Sequence, residues 1–214
     1  MNEIPVYISG EDEVTKAIIE RLLSYCSPKF SVLKSIPARG GQIKSKILEL
    51  NNLSKVRPVI MLTDLDATDC APTLKKALLK DMVQNKNFLI NIAVDEGEAW
   101  LMADRKGFAE FLEVDEDVIP SSTMQKMGGR KALVEMDFSA KSLWMLTHSI
   151  VMKSRNTELR AQVGAQGKAS KGPEYNVAIL PFVKNIWNID EAMRNSDSLS
   201  RMVLRLKKLS EQVA

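Results

Sequence analysis

The chain is poor in the residues from which soft-metal and nucleophilic sites are built. Two cysteines, Cys26 and Cys70, and one histidine, His148, occur among 214 residues. Two lone thiols show neither metal-ligand spacing nor a disulfide framework, and one imidazole does not furnish a zinc site or make a Ser-His-Asp triad a reasonable expectation. No apolar run reaches the length of a membrane span. Residues 1–5 lack a basic segment followed by an apolar one, so the expected compartment is cytoplasmic. No GxxxxGKS or GxxxxGKT loop is present, so any ATP hydrolysis has to come from another chain. A dominant charge sign is also missing. The 30 basic and 27 acidic residues leave a net charge of +3, too balanced to identify a polyanion partner, so charge distribution has to decide. What the chain does have is 45% hydrophobic residues, enough for a sizeable core in one domain or in one domain with an annex.

Its first half alternates strand-like and helix-like segments. Residues 6–9 form an apolar strand ended by Gly10, followed by a helix with Val14, Ala17, Ile18, Leu22 and Tyr25 on one face. Residues 30–36 read as a second strand, and after a Gly40-Gly41 turn Ile43, Ile47, Leu48 and Leu50 recur at helical spacing. Pro58 opens a third strand, Pro72 suits a first helical residue, and residues 88–94 form a fourth strand. This order predicts an α/β fold: a mainly parallel sheet of about four strands flanked by helices, with its sites beyond the carboxyl ends of the strands. After about Phe108 strand alternation is lost. Residues 1–107 are therefore expected to form the α/β domain, and residues 108–214 a helical annex packed on it, with a mobile basic loop at about 153–173. The last helix places Leu199, Met202, Val203, Leu206 and Leu209 on one face and Arg201, Arg205 and Lys208 on another.

Three acidic clusters fall at strand ends: Glu11-Asp12-Glu13, then Asp64, Asp66 and Asp69, then Asp95, Glu96 and Glu98. Each has a structural alternative. Asp12 and Glu13 suit a first helical turn, Asp69 suits a cap for the helix near Pro72, and Asp95 with Glu98 has capping-box spacing. Asp64 and Asp66 are harder to place structurally, because two acids at a strand end repel one another unless a cation or basic group neutralises them. They make a hard-oxygen site suited to a divalent cation and hence to phosphate chemistry.

The order of these clusters resembles the Toprim domain of topoisomerases, primases and the overcoming-lysogenisation-defect nucleases. In that Rossmann-like domain a Glu after the first strand and a DxD pair hold magnesium. The finer resemblance is to small stand-alone bacterial Toprim-like proteins. It is carried by Gly10-Glu11-Asp12-Glu13, Asp64-Leu65-Asp66, Glu98-Ala99-Trp100-Leu101-Met102-Ala103-Asp104, Gly172-Pro173-Glu174-Tyr175-Asn176 and Ser196-Asp197-Ser198-Leu199-Ser200-Arg201. Many Toprim sequences place the glutamate immediately before the glycine, where this chain has Ser9. Either Glu11 takes that role from the other side of Gly10, or Glu13 supplies a second-metal carboxylate.

The resemblance implies a Toprim-type nuclease in which Glu11, Asp64 and Asp66 are catalytic and ligate Mg2+ or Mn2+, with Glu13 and Glu98 as further metal ligands. It also implies a nucleic-acid partner, expected to be DNA, and an ABC- or SMC-like ATPase partner chain in DNA maintenance or phage defence; a homo-oligomer is possible. Arg39 and Lys44, flanking the glycine turn, and Lys168 and Lys171 in the basic loop are the candidate nucleic-acid contacts, with a loop entering a helix and a solvated loop as the plainer alternatives. Trp100, Trp144 and Trp187 are expected as core anchors rather than base-stacking platforms. Two other functions remain open. The Asp64-Leu65-Asp66-Ala67-Thr68 run also matches the DxDxT signature of haloacid-dehalogenase-like phosphatases, with Asp64 as nucleophile and Lys75 or Lys80 balancing phosphate charge. A Toprim-like fold that has lost its glutamate would instead serve as a non-catalytic sensor or partner subunit.

Overall fold

Short apolar strands separated by helices are the mark of a parallel sheet. In the computed structural model residues 59–64 form such a strand, buried from 59 to 63, whereas the edge strand at 30–35 has no buried residue. The structure describes residues 3–37, 42–127 and 130–212, apart from the side chains of Lys44, Gln125, Lys126, Met127, Arg130, Lys131 and Ala132. It divides into two compact units, residues 1–94 with 201–214, and residues 95–200. The expected boundary at 107/108 therefore lies thirteen residues earlier, at 94/95, and most of the last helix belongs with the sheet.

The first unit contains β1 (Ile4–Ser9), α1 (Glu13–Cys26), β2 (Phe30–Ser35), α2 (Gln42–Ser45), α3 (Ile47–Leu53), β3 (Val59–Asp64), α4 (Ala71–Leu79) and β4 (Phe88–Ala93). The strands pair in parallel in the order β2-β1-β3-β4. In β3 every residue from Val59 to Thr63 is buried. Period-two alternation sends Val59 and Met61 to the same side as Ile90 of β4, where they pack with Ile47, Leu50 and Leu74. Burying each such side chain contributes roughly 1.5–3 kcal/mol, so this layer holds the strand ends in register. α1 starts at Asp12, whose carboxylate accepts from the Thr15 backbone N–H at 2.8 Å, and it buries Val14, Ile18 and Leu22.

The second unit contains α5 (Gly97–Met102), α6 (Arg105–Leu112), β5 (Ser122–Met127), β6 (Arg130–Met136), α7 (Ser142–Met145), α8 (Thr157–Val163), α9 (Tyr175–Pro181) and α10 (Ile189–Asn195). The helix that follows, α11 (Asp197–Gln212), carries the unit boundary at 200/201. β5 and β6 form an antiparallel hairpin with Thr123 opposite Glu135, which corrects the expectation that no strand follows Phe108. The stretch 153–173 is likewise not one continuous loop. It contains α8, started by Asn156, whose side chain accepts from the backbone of Glu158 and Leu159. Buried Trp100, Phe108, Phe182 and Trp187 form the aromatic core, Phe108 and Phe182 meeting edge to face at 4.8 Å. Among the described residues no helix is long and apolar enough to cross a membrane.

Candidate active site

Parallel register builds the rim of the first unit. Ser9, the last residue of β1, lies opposite Met61 of β3. Carrying that register two residues further brings Glu11 level with Thr63, and Glu11 Oε1 accepts from Thr63 Oγ1 at 2.5 Å. The turn after β1 is thus tied to the residue immediately before Asp64. On its other side β3 pairs Asp64 with Ala93. The Leu65 N–H continues the ladder to the Ala93 carbonyl at 3.0 Å, and the Leu65 side chain is buried. Asp66 then turns with φ +54°, a left-handed conformation that Asp tolerates better than most side chains. Half-buried Asp64 and exposed Asp66 therefore flank an anchored leucine at the carboxyl edge of a central strand, with Glu11 on the neighbouring turn.

Apart from Asp69, the other acids have structural partners. Glu13 is exposed and pairs with Lys16 at 2.7 Å. Asp69 is exposed, and Cys70 rather than Asp69 occupies the N-cap of α4. Asp95 does not form the expected capping box with Glu98. Its Oδ2 accepts from the Ser142 N–H at 2.7 Å, and Glu96 accepts from the Leu143 N–H at 2.8 Å, so both carboxylates cap α7 from more than forty residues away. Glu98, in the second unit, is buried and accepts from the Tyr175 hydroxyl at 2.7 Å. Lys171 Nζ lies 3.8 Å from Glu98 and 4.6 Å from the centre of the Tyr175 ring. Neighbouring Gly172 has to be glycine, because a Cβ there would stand 2.2 Å from the Gln162 carbonyl oxygen.

The motifs of the second unit therefore meet one another. Trp100 Nε1 donates to Ser198 Oγ at 2.8 Å, and Asp104 accepts from the Asn188 N–H at 2.8 Å. Buried Glu135, which the sequence reading missed, accepts from Ser196 Oγ at 2.7 Å and the Ser198 N–H at 2.6 Å. Burial pushes the Glu135 carboxyl above its ordinary pKa, a shift opposed by the Ser196 and Ser198 hydrogen bonds. Thr63 was also missed; its only sequence signal is a polar residue closing the apolar run before Asp64.

Of the basic candidates, Arg39 lies outside the described residues, as does the side chain of Lys44, whose backbone is in α2. Lys168 is exposed beside Gly167, at φ +60°. Lys171 is held against Glu98 and Tyr175. Trp100 and Trp187 are core residues, whereas Trp144 is 51% exposed and stacks on His148 at 4.9 Å, a correction to its expected core role.

Among the described residues no three His, Cys, Asp or Glu side chains are gathered as a metal-holding group. Mg2+ keeps several waters and is commonly held by one or two carboxylates together with substrate phosphate. The oxygen-only pair Asp64 and Asp66 has the right donor chemistry for that mode.

Compared with known families, residues 9–127 match the one described as Domain of unknown function (DUF4276), which covers more than half of the chain. No curated protein and no solved structure matches.

Proposed function

We propose that this chain, which belongs to the DUF4276 family, is a metal-dependent phosphodiesterase acting on nucleic acid. The observation that carries the reading is the Glu11 to Thr63 hydrogen bond, which sets a third carboxylate beside the Asp64-Leu65-Asp66 edge. Asp64 and Asp66 would hold Mg2+ or Mn2+, which when bound polarises a phosphodiester oxygen and stabilises charge on the leaving oxygen. Glu11 accepts a proton from the attacking water or completes the carboxylate set, and Thr63 fixes its orientation. Glu13 and Glu98 are left out of this centre, since Lys16 and the Tyr175-Lys171 pair engage them. DNA is the proposed substrate, and an ATPase chain of the ABC or SMC-like kind the proposed partner, as in the DNA-maintenance and phage-defence systems of the resembling family.

Incubation of supercoiled plasmid or oligonucleotide with the protein and Mg2+ or Mn2+ tests the reading. Cleavage is expected, reduced at least a hundredfold in both Asp64→Asn and Glu11→Gln. Cleavage that survives both substitutions sinks it.

Ser9 favours a second reading. It stands where many sequences of the resembling Toprim domain carry their glutamate, is fully buried, and its hydroxyl has no hydrogen-bond partner among the described residues. A non-catalytic partner subunit would bind Mn2+ at Asp64 and Asp66, leave plasmid intact and co-purify with an ATPase.

A further inference from the structure

The open edge of β4 carries a group of cations that the carboxylate rim does not use. Asn87 and Ala93 turn their carbonyls to β3, so the alternation of the strand leaves the Ile90 carbonyl on the unpaired edge. Arg205, on α11, reaches that edge: its Nη1 donates to the Ile90 carbonyl at 3.3 Å and to Asn91 Oδ1 at 3.1 Å. Its Nε and Nη2 make no hydrogen bond to protein among the described residues. A guanidinium gripped by one nitrogen therefore presents the two-pronged edge that matches the oxygens of a phosphate.

Two further cations stand with it. Arg201 is one turn earlier on α11, exposed and on the same helical face. Lys75 lies half-buried on α4, which packs against β4. Burial and then the charge of Arg205 hold the Lys75 ammonium below its ordinary pKa, and burial and then the charge of Arg201 act likewise on Arg205. None of the three forms an ion pair with an acid among the described residues. Lys75 and Arg205 are thus like charges partly withdrawn from water, and an anion lying against them reverses that cost.

We propose that Lys75, Arg201 and the free edge of Arg205 form a phosphate-binding site on the β4 flank. Asn91 stands two residues before Ala93, the register partner of Asp64, about 7 Å along the strand. A polynucleotide crossing the carboxyl edge of the sheet would place a backbone phosphate there, and a free phosphate anion satisfies the same donors. The site is independent of hydrolysis and needs no metal.

The test is run in EDTA. Binding of a labelled single-stranded oligonucleotide is followed by fluorescence anisotropy, and the thermal midpoint is measured in inorganic phosphate against chloride at matched ionic strength. The double variant Lys75→Gln, Arg201→Gln is expected to bind the oligonucleotide at least tenfold more weakly, or to lose the phosphate-induced rise in midpoint. Its midpoint in chloride reports whether it folds. Arg205→Lys, which keeps the charge and removes the two-pronged edge, is expected to weaken binding in the same direction. Lys34→Gln with Lys55→Gln, which removes two exposed charges elsewhere on the same unit, is expected to stay within twofold of the parent. A response to oligonucleotide alone identifies a backbone phosphate as the ligand, and a response to phosphate alone identifies the free anion. Equal losses in the two double variants, no loss in either, or no response of the parent to either ligand overturns the site. Asp64→Asn keeps full binding in EDTA if the site is real, so failure of the cleavage reading leaves this result standing.

Discussion

Thr63 is a fully buried polar residue at the end of an apolar strand, and its hydroxyl spends its donor on Glu11. A hydrogen bond to a charged group contributes about 1.5–3 kcal/mol, and here it fixes the orientation of a rim carboxylate. Thr63→Val keeps the shape and removes the donor. On the proposed phosphodiesterase reading, the expected outcome is a cleavage rate lowered on the order of tenfold with little change in KM, and recovery in Thr63→Ser. Equal rates for the Val and Ser variants would show that Thr63 only fills space. That Asp64 and Asp66 lie at a strand end was legible from the apolar run that precedes Thr63, and that Glu11 lies on the turn after the first strand was legible from strand order. Glu98 was less so, because its partner Tyr175 is 77 residues away and spacing carries no trace of such a contact.

At the scale of elements, local patterns succeeded where burial alone defines the element and failed where distant pairing does. β3 is wholly buried and reads as a strand in isolation. β6 contains Lys131, Ala132, Leu133, Glu135 and Met136, residues with good helix propensity, yet pairing with β5 makes it a strand. α8 was hidden among charges and glycines, although Asn156 is an ordinary N-cap. α1 is legible from its apolar face, and its cap can be tested. Asp12 accepts from both the Thr15 N–H and the Thr15 hydroxyl at 2.8 Å. Asp12→Ala is expected to cost about 1 kcal/mol in urea denaturation, and Asp12→Asn only a fraction of that. A cost below about 0.3 kcal/mol for the alanine variant would show that the first turn of α1 does not depend on this cap.

For the whole molecule, the informative groups are two buried acids whose carboxyls burial holds above their ordinary pKa. Burial raises the pKa of Glu135, against the hydrogen bonds of Ser196 and Ser198 and with a smaller push from the Asp197 charge. Burial also raises Asp104, against the N–H groups of Asn188 and Gly107. In each case the folded state holds its proton more tightly than the unfolded chain. Stability from this source is therefore fully present below the unfolded pKa and is lost as pH rises through the folded one, at no more than about 1.4 kcal/mol per pH unit for each group. For Glu135 the loss begins near its ordinary value of 4.5 and continues above it. Gln in its place keeps an acceptor for the Ser198 N–H and a polar partner for Ser196, and does not ionise. Urea denaturation of parent and Glu135→Gln between pH 4.5 and 8 is expected to give a parent that loses stability relative to the variant as pH rises, most steeply at the acidic end. Parallel profiles would mean that the cluster around Ser196 and Ser198 already carries the charged carboxylate at no cost.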